Sequence, residues 1–182
     1  TYSYAWAGDP KLIDKGLYDA IPTTDVRKNQ FLQVGTNTGN LQPRNKFFDP
    51  GRVAGGQRTV VTDLVYMRSD EFYLLNAEAN ARVGNETAAK QALTTLLTQR
   101  RTDITYLTLL TGQALLNEIY LQTRIELWGE GKSYLAMKRN KATITRGSNH
   151  LFFAGQSFPY NDPKLSFAIP QDEVLNNPVL NQ

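Results

Sequence analysis

DLVYMRSDEFYLLNAEANARVGNETAAKQALTTLLTQRR, residues 63–101, decides the fold of this chain. Asp63 is suited to N-cap a helix that runs through Val83, and Gly84 stands where a left-handed C′ residue is expected. Asn85 can cap a second helix, from Glu86 to about Arg101, because Ala89, Leu93, Leu96, Leu97 and Arg100 recur at helical spacing. Two antiparallel helices joined by Gly-Asn, with Ala77, Ala81, Ala88, Ala89 and Ala92 on their facing sides, form a unit of tetratricopeptide type. Spacing alone fits an ordinary helical hairpin equally well. Either way, one hairpin cannot bury both faces and needs neighbours.

A helical wheel on the first of these helices separates its charges from an ordinary solvated face. At about 100° per residue, Glu71, Glu78 and Arg82 fall between Met67 and Leu74 on one side and Leu75 on the other. Charges bordered by apolar residues need partners close by, since stranding a buried charge costs about 3–5 kcal/mol. Arg100 on the second helix and Arg124 on the third have the right sign, so Arg68, Glu71, Glu78, Arg100 and Arg124 form the expected ion-pair network. A catalytic pair of carboxylates is the rival reading. The arginines argue against it, because they hold both groups ionised where a general acid needs a raised pKa.

Outward from the hairpin, Thr111 can cap a third helix from Gly112 to about Trp128, with Leu116, Ile119, Thr123 and Leu127 as its inner stripe. SYLAMKR, 133–139, reads as a short fourth helix after the glycines at 129 and 131. On the N-terminal side, residues 1–62 carry four prolines and the glycine-rich DPGRVAGGQR, and turn signals dominate apart from a short helix near Asp14–Ala20. Their scattered aromatics, Tyr18 and Phe31 among them, are expected to pin loops to the core. Residues 140–182 read as loop with a small hairpin at most, then FAIPQDEVLNNPVLNQ, a closing segment expected to dock through Ile169 and Leu175. The expected fold is therefore mainly α, with tetratricopeptide-like hairpins and long irregular loops. A single domain over 1–182 divides into a loop-rich segment (1–62), a helical body (63–139) and a loop with docked tail (140–182).

Composition narrows the chemistry. No run among the 182 residues is apolar enough to span a bilayer as a helix. The net charge of +3 is mild, and only Lys138, Arg139, Lys141 and Arg146 approach a basic cluster, so no nucleic-acid partner is expected. Without cysteine there is no thiol nucleophile and no Cys-based zinc site. His150, the only histidine, rules out a two-histidine metal site and is read as a structural or surface residue. GEG at 129–131 is too short to cradle a phosphate, and neither GxGxxG nor GxxxxGK[ST] occurs. Asn85-Glu86-Thr87 matches the glycosylation pattern at a helix start. The expectation is a protein with no catalytic residues, no metal and no cofactor.

Four stretches in order carry a resemblance: YMRSDEFYLLNAEANARVGN, LTTLLTQRR, RIELWGEGKSYLAMKR and FAIPQDEVLNNPVLNQ. Together they resemble the C-terminal half of the SusD/RagB family of outer-membrane nutrient-binding lipoproteins. Arg68, Glu71, Tyr73, Leu74, Ala77, Glu78 and Ala79 match that family's R-x-x-E-x-Y-L-x-x-A-E-A pattern. Arg124, Glu126, Leu127, Glu130 and Gly131 fit E-R-R-x-E-L-x-x-E-G, from which Gln122 and Thr123 depart. Ile169, Pro170, Glu173, Asn177 and Pro178 match the family's ending, and the chain is expected to stop just short of the natural terminus. LYDAIPTTDVRKNQF, 17–31, resembles a loop of starch-binding members.

The resemblance implies binding rather than turnover. It implies an oligosaccharide ligand, a SusC-like TonB-dependent transporter as partner, and a surface-exposed place at the cell outer membrane. Membrane attachment would come only through an N-terminal lipid, which belongs to a half this chain lacks. Sugar rings stack on aromatic faces, and within this chain Tyr2, Tyr4 and Trp6 are the ligand-binding candidates. The competing class is a tetratricopeptide-like scaffold holding a peptide or protein in a groove between its helices. A hydrolase, the third class, needs a carboxylate pair at glycosidase spacing without arginines beside it.

Overall fold

The computed structural model describes residues 11–43 and 66–179. Over these residues the chain is mainly helical, with two small two-stranded sheets. Helix α1 (Lys15–Asp19) leads into a 3₁₀ turn (Val26–Gln30) and an antiparallel pair, β1 (Phe31–Gln33) with β2 (Leu41–Pro43). Then come α2 (Ser69–Arg82), α3 (Glu86–Leu97), a second 3₁₀ turn (Thr105–Leu109), α4 (Gly112–Glu126) and α5 (Ser133–Arg139). The second pair, β3 (Ile144–Thr145) with β4 (Ser157–Phe158), precedes a third 3₁₀ turn (Pro163–Leu165) and α6 (Gln171–Asn176).

The α2–α3 hairpin turns as its sequence requires. Gly84 sits at φ +80°, the left-handed C′ conformation that costs other residues strain. Facing alanines allow close approach: Ala77 and Ala89 are fully buried beside Leu74, Leu93, Leu96 and Leu97. Leu107 of the second 3₁₀ turn, Leu115 and Ile119 of α4, and Leu127 at its C-cap complete this cluster. A second, smaller cluster joins Ile13, Leu17, Ile21, Phe31 and Leu41 to Ile125. Helix α4 therefore has two buried sides near its C-terminal end, one on the hairpin and one on the N-terminal segment. Burying each large aliphatic side chain here is worth about 1.5–3 kcal/mol.

Three boundaries and faces differ from expectation. Helix α2 begins at Ser69, not Asp63, because residues 66–68 are non-helical and Arg68 is extended (φ −124°, ψ 152°) with its guanidinium committed to α4. Asp63 itself lies outside the described residues. Helix α3 stops at Leu97, and a tight turn carries the carbonyl of Arg100 to the amide of Val26, 2.9 Å away. On α4 the stripe uses Leu115 in place of Leu116, since the helix faces the hairpin and the N-terminal segment together. The pair β1–β2 is a hairpin more than the sequence suggested, formed across VGTNTGN, where Asn40 Nδ2 donates to the Val34 carbonyl.

Phe31 is the loop anchor that was expected. Its ring meets the edges of Trp128 (5.0 Å) and Tyr18 (6.3 Å) at nearly right angles. The closing segment behaves otherwise. Its short helix forms, but Ile169 and Leu175 are 53% and 63% exposed and do not insert as anchors. Tyr134 holds the segment instead, donating its hydroxyl to the Leu165 carbonyl (2.8 Å) and meeting the Phe167 ring.

Candidate functional site

The charged centre of the molecule is Glu126, in the last turn of α4 and 4% exposed. Three arginines from three segments converge on it. Arg100 donates from Nε to Oε2 (3.0 Å) and from Nη2 to Oε1 (3.1 Å), Arg68 from Nη1 to Oε1 (3.1 Å), and Arg27 from Nη1 to Oε2 (3.1 Å). Burial by itself would raise the carboxyl pKa. The hydrogen bonds and charges of Arg100, Arg27 and Arg68 win, and bring it down to about 2. Arg27, 1% exposed, is balanced in turn by Asp25, which accepts from Nε (3.0 Å) and Nη2 (2.6 Å), and by Gln122 Oε1 (2.6 Å). Arg68 also reaches Glu130 (2.9 Å) and Asp70, and Arg100 reaches Asp70 (3.1 Å). Each carboxylate at this centre accepts from at least one guanidinium, so the cluster ties α4 to the N-terminal segment, to the start of α2 and to the turn after α3.

Glu71 and Glu78 occupy a different place, facing α5. Arg139 donates to Glu78 from Nε (2.7 Å) and Nη2 (2.8 Å), and Arg82 donates from Nε (2.9 Å) and Nη2 (2.7 Å). Burial would push the Glu78 carboxyl up, but the two guanidinium groups hold it below the usual carboxylate range. Glu71 pairs with Lys132 Nζ at 3.2 Å through Oε1, while its Oε2 is buried with no hydrogen-bond partner. Between α2, α4 and α5 a pocket of about 80 Å³ opens beside these groups, with Thr123 and Leu127 among its walls.

Of the five residues expected in one ion-pair network, Arg68 and Arg100 meet at Glu126, whereas Glu71 and Glu78 pair with α5 and its approach. The expectation that Arg100 or Arg124 would pair with Glu71 or Glu78 is corrected. Arg100 leaves the helical path after Leu97 and points to α4. Arg124 lies over the Tyr120 ring (5.8 Å) and makes no ion pair among the described residues. Sequence reasoning noted Glu126 and Gln122 in the family motif and Arg139 in the basic stretch but placed none of them in the charge network, and it did not single out Asp25, Arg27 or Lys132. The wheel applied to α2 would have found two of them on α4, where 115, 119, 122 and 126 lie on one stripe. Arg27 sits in a loop segment with no periodicity to expose it.

Tyr2, Tyr4 and Trp6 lie outside the described residues. The basic stretch 138–146 is dispersed: Lys138 donates to the Tyr160 carbonyl (2.6 Å), and Arg139 is held by Glu78. His150 has a partner far off in sequence, its Nε2 lying 2.9 Å from Asp14 Oδ2. Among the described residues, no helix is long and apolar enough to cross a membrane, and no group of His, Asp and Glu could hold a metal ion.

The SusD family model matches residues 26–182. The chain belongs to the SusD family. Two solved structures share the fold, each at 25% identity over 90% of this chain. One is a SusD-like carbohydrate-binding protein from Bacteroides vulgatus ATCC 8482, with a TM-score of 0.62. The other is a SusD superfamily protein from Bacteroides thetaiotaomicron VPI-5482, with a TM-score of 0.70. This SusD-family chain spans 40% and 38% of their lengths, respectively. No curated protein matches it.

Proposed function

We propose that this chain is the C-terminal unit, residues 1–182, of a cell-surface protein that binds oligosaccharide and passes it to a TonB-dependent outer-membrane transporter. The observation that carries the reading is the SusD-family match over 26–182, joined to a structural neighbour that is itself a carbohydrate-binding protein. The chemistry around Glu126 agrees: three guanidinium groups hold its carboxyl well below the usual carboxylate range, the opposite of what a general acid for glycosidic cleavage needs. Binding without catalysis is therefore the activity proposed, with no cofactor. Tyr2, Tyr4 and Trp6 are proposed as the stacking surface for sugar rings. Attachment to the outer membrane through a lipid on a preceding segment, and a SusC-like transporter as partner, complete the proposal.

Calorimetric titration of this chain, and of the longer protein containing it, with a panel of soluble oligosaccharides tests the reading. Binding by the longer protein that weakens on Trp6→Ala is the expected result. Absence of binding to every glycan, with tight binding of peptides instead, would replace it with the scaffold reading.

A further inference from the structure

We propose that the solvent-facing side of α2 is a docking seam for a helix supplied by the portion of the longer protein outside these 182 residues. The inference rests on the reading of this chain as one unit of a longer protein, and not on the ligand. On a wheel at about 100° per residue, Phe72, Leu75, Ala79 and Val83 fall within an arc of about 80°. Leu74, Ala77 and Ala81, which join the core shared with α3 and α4, lie on the opposite side. Helix α2 is thus apolar on two opposed faces. The second faces solvent: Phe72 is 57% exposed, Leu75 41% and Val83 80%. Arg82 borders this stripe on one side and Asn76 on the other. Exposed apolar residues scattered singly are ordinary, but an aligned stripe with polar edges marks a contact surface.

The spacing selects the shape of the occupant. Positions 72, 75, 79 and 83 follow the turns of a helix over about 16 Å of its axis. Ala79, in the middle, leaves a hollow between Leu75 and Val83. A ridge of side chains from a second helix fits such a hollow, with the axes at the short end of the usual separation of about 8–10 Å. That helix carries an apolar stripe of its own, with a large aliphatic residue over Ala79. Two features put it on the same polypeptide. The chain spans 40% and 38% of its two solved relatives, so more than half of each relative is chain with no counterpart here. The stripe also offers only three large side chains and an alanine, well short of the roughly 800 Å² per partner that a stable complex of separate molecules buries. Within one polypeptide that demand falls away, because no translational freedom is lost when the faces meet.

The test uses the longer protein carrying the photo-crosslinker p-benzoylphenylalanine in place of Phe72 and, in a second preparation, in place of Val83. Irradiation of dilute protein and peptide mass spectrometry should show, from both positions, a crosslink within one molecule to a single stretch outside these 182 residues. Any other result overturns the proposal, whether the crosslink reaches a second copy, falls within the 182 residues or does not form. An independent measure is Ala79→Lys in the same protein, which nearly preserves helix propensity but drives a charge into the seam. It should raise the unfolding equilibrium constant in urea by about tenfold or more, where a solvated helix position gives about twofold. A smaller change leaves this side of α2 in water and ends the proposal. Glycan titration of the same protein is scored separately, so the seam and the binding reading fail independently.

Discussion

Glu126 carries a disproportionate share of the electrostatics of this molecule, since three guanidinium groups from residues 27, 68 and 100 end on its two oxygens. Its carboxyl is held at about 2, against 4.5 for an unperturbed glutamate. The folded state therefore binds this proton less readily than the unfolded chain. The stability it contributes is complete above about pH 4.5 and is lost as the pH falls towards 2. That gap corresponds to roughly 3 kcal/mol, and Glu126→Gln should remove it and flatten the acid limb of a Tm-against-pH profile. Glu126→Ala should cost about 3–5 kcal/mol at neutral pH by stranding three cations, measured by urea unfolding. At this scale the sequence was legible where a charge broke a helical stripe, as with Glu78, and illegible where the partner came from a loop. Nothing in the local pattern of DVRKN distinguishes Arg27 from a solvated arginine; only the fold, which buries it against α4, does so.

The elements were legible in proportion to their periodicity. Helices α2, α3, α4 and α5 stand where helical apolar spacing and the Gly-Asn turn put them; the start of α2 and the end of α3 are displaced where an arginine at the boundary is drawn to α4, and α4 ends two residues early at Glu126. The β1–β2 hairpin was missed because strands of three residues are too short to show a period. Glu78 illustrates how an element-level tie should be weighed. It joins α2 to α5 through Arg139, yet Arg82 and Arg139 are 38% and 41% exposed. On removal of the carboxylate both guanidiniums can turn to water. Glu78→Ala should therefore destabilise by only about 1 kcal/mol, well short of the Glu126 variant. A chemical-denaturation series of the two alanine variants checks the order, which reverses if α5 is held mainly by this pair. The closing segment supplies a second comparison. With Ile169 and Leu175 largely exposed, deletion of residues 167–182 should lower stability by no more than about 1 kcal/mol in this chain.

On the scale of the whole molecule, the mainly helical class and the family were legible, whereas the clasp that closes the chain on itself was not. Asp14 accepts from the amides of Leu17 (2.9 Å) and Gly147 (2.7 Å) and from His150, while Asn149 accepts from the Lys15 amide (2.8 Å) and donates to the carbonyls of Ile13 (2.8 Å) and Gly39 (3.0 Å). Gly147 is required here, since a Cβ would lie 2.5 Å from Asp14 Oδ2. Polar residues in two loops give no sign of each other in sequence, because their meeting depends on everything folded between them. That dependence has a kinetic consequence. The clasp spans a separation of 134 residues, so forming it before the helices have condensed would incur a large loop-closure entropy for a few hydrogen bonds. It should be absent from the transition state for folding and act as a latch set after the barrier is crossed. Asp14→Ala should then leave the refolding rate nearly unchanged and speed unfolding by roughly tenfold, as stopped-flow chevrons would show. A refolding limb that slows with the unfolding limb fixed would place the latch in the nucleus instead. Set last, it governs how long the folded molecule survives rather than how fast it forms.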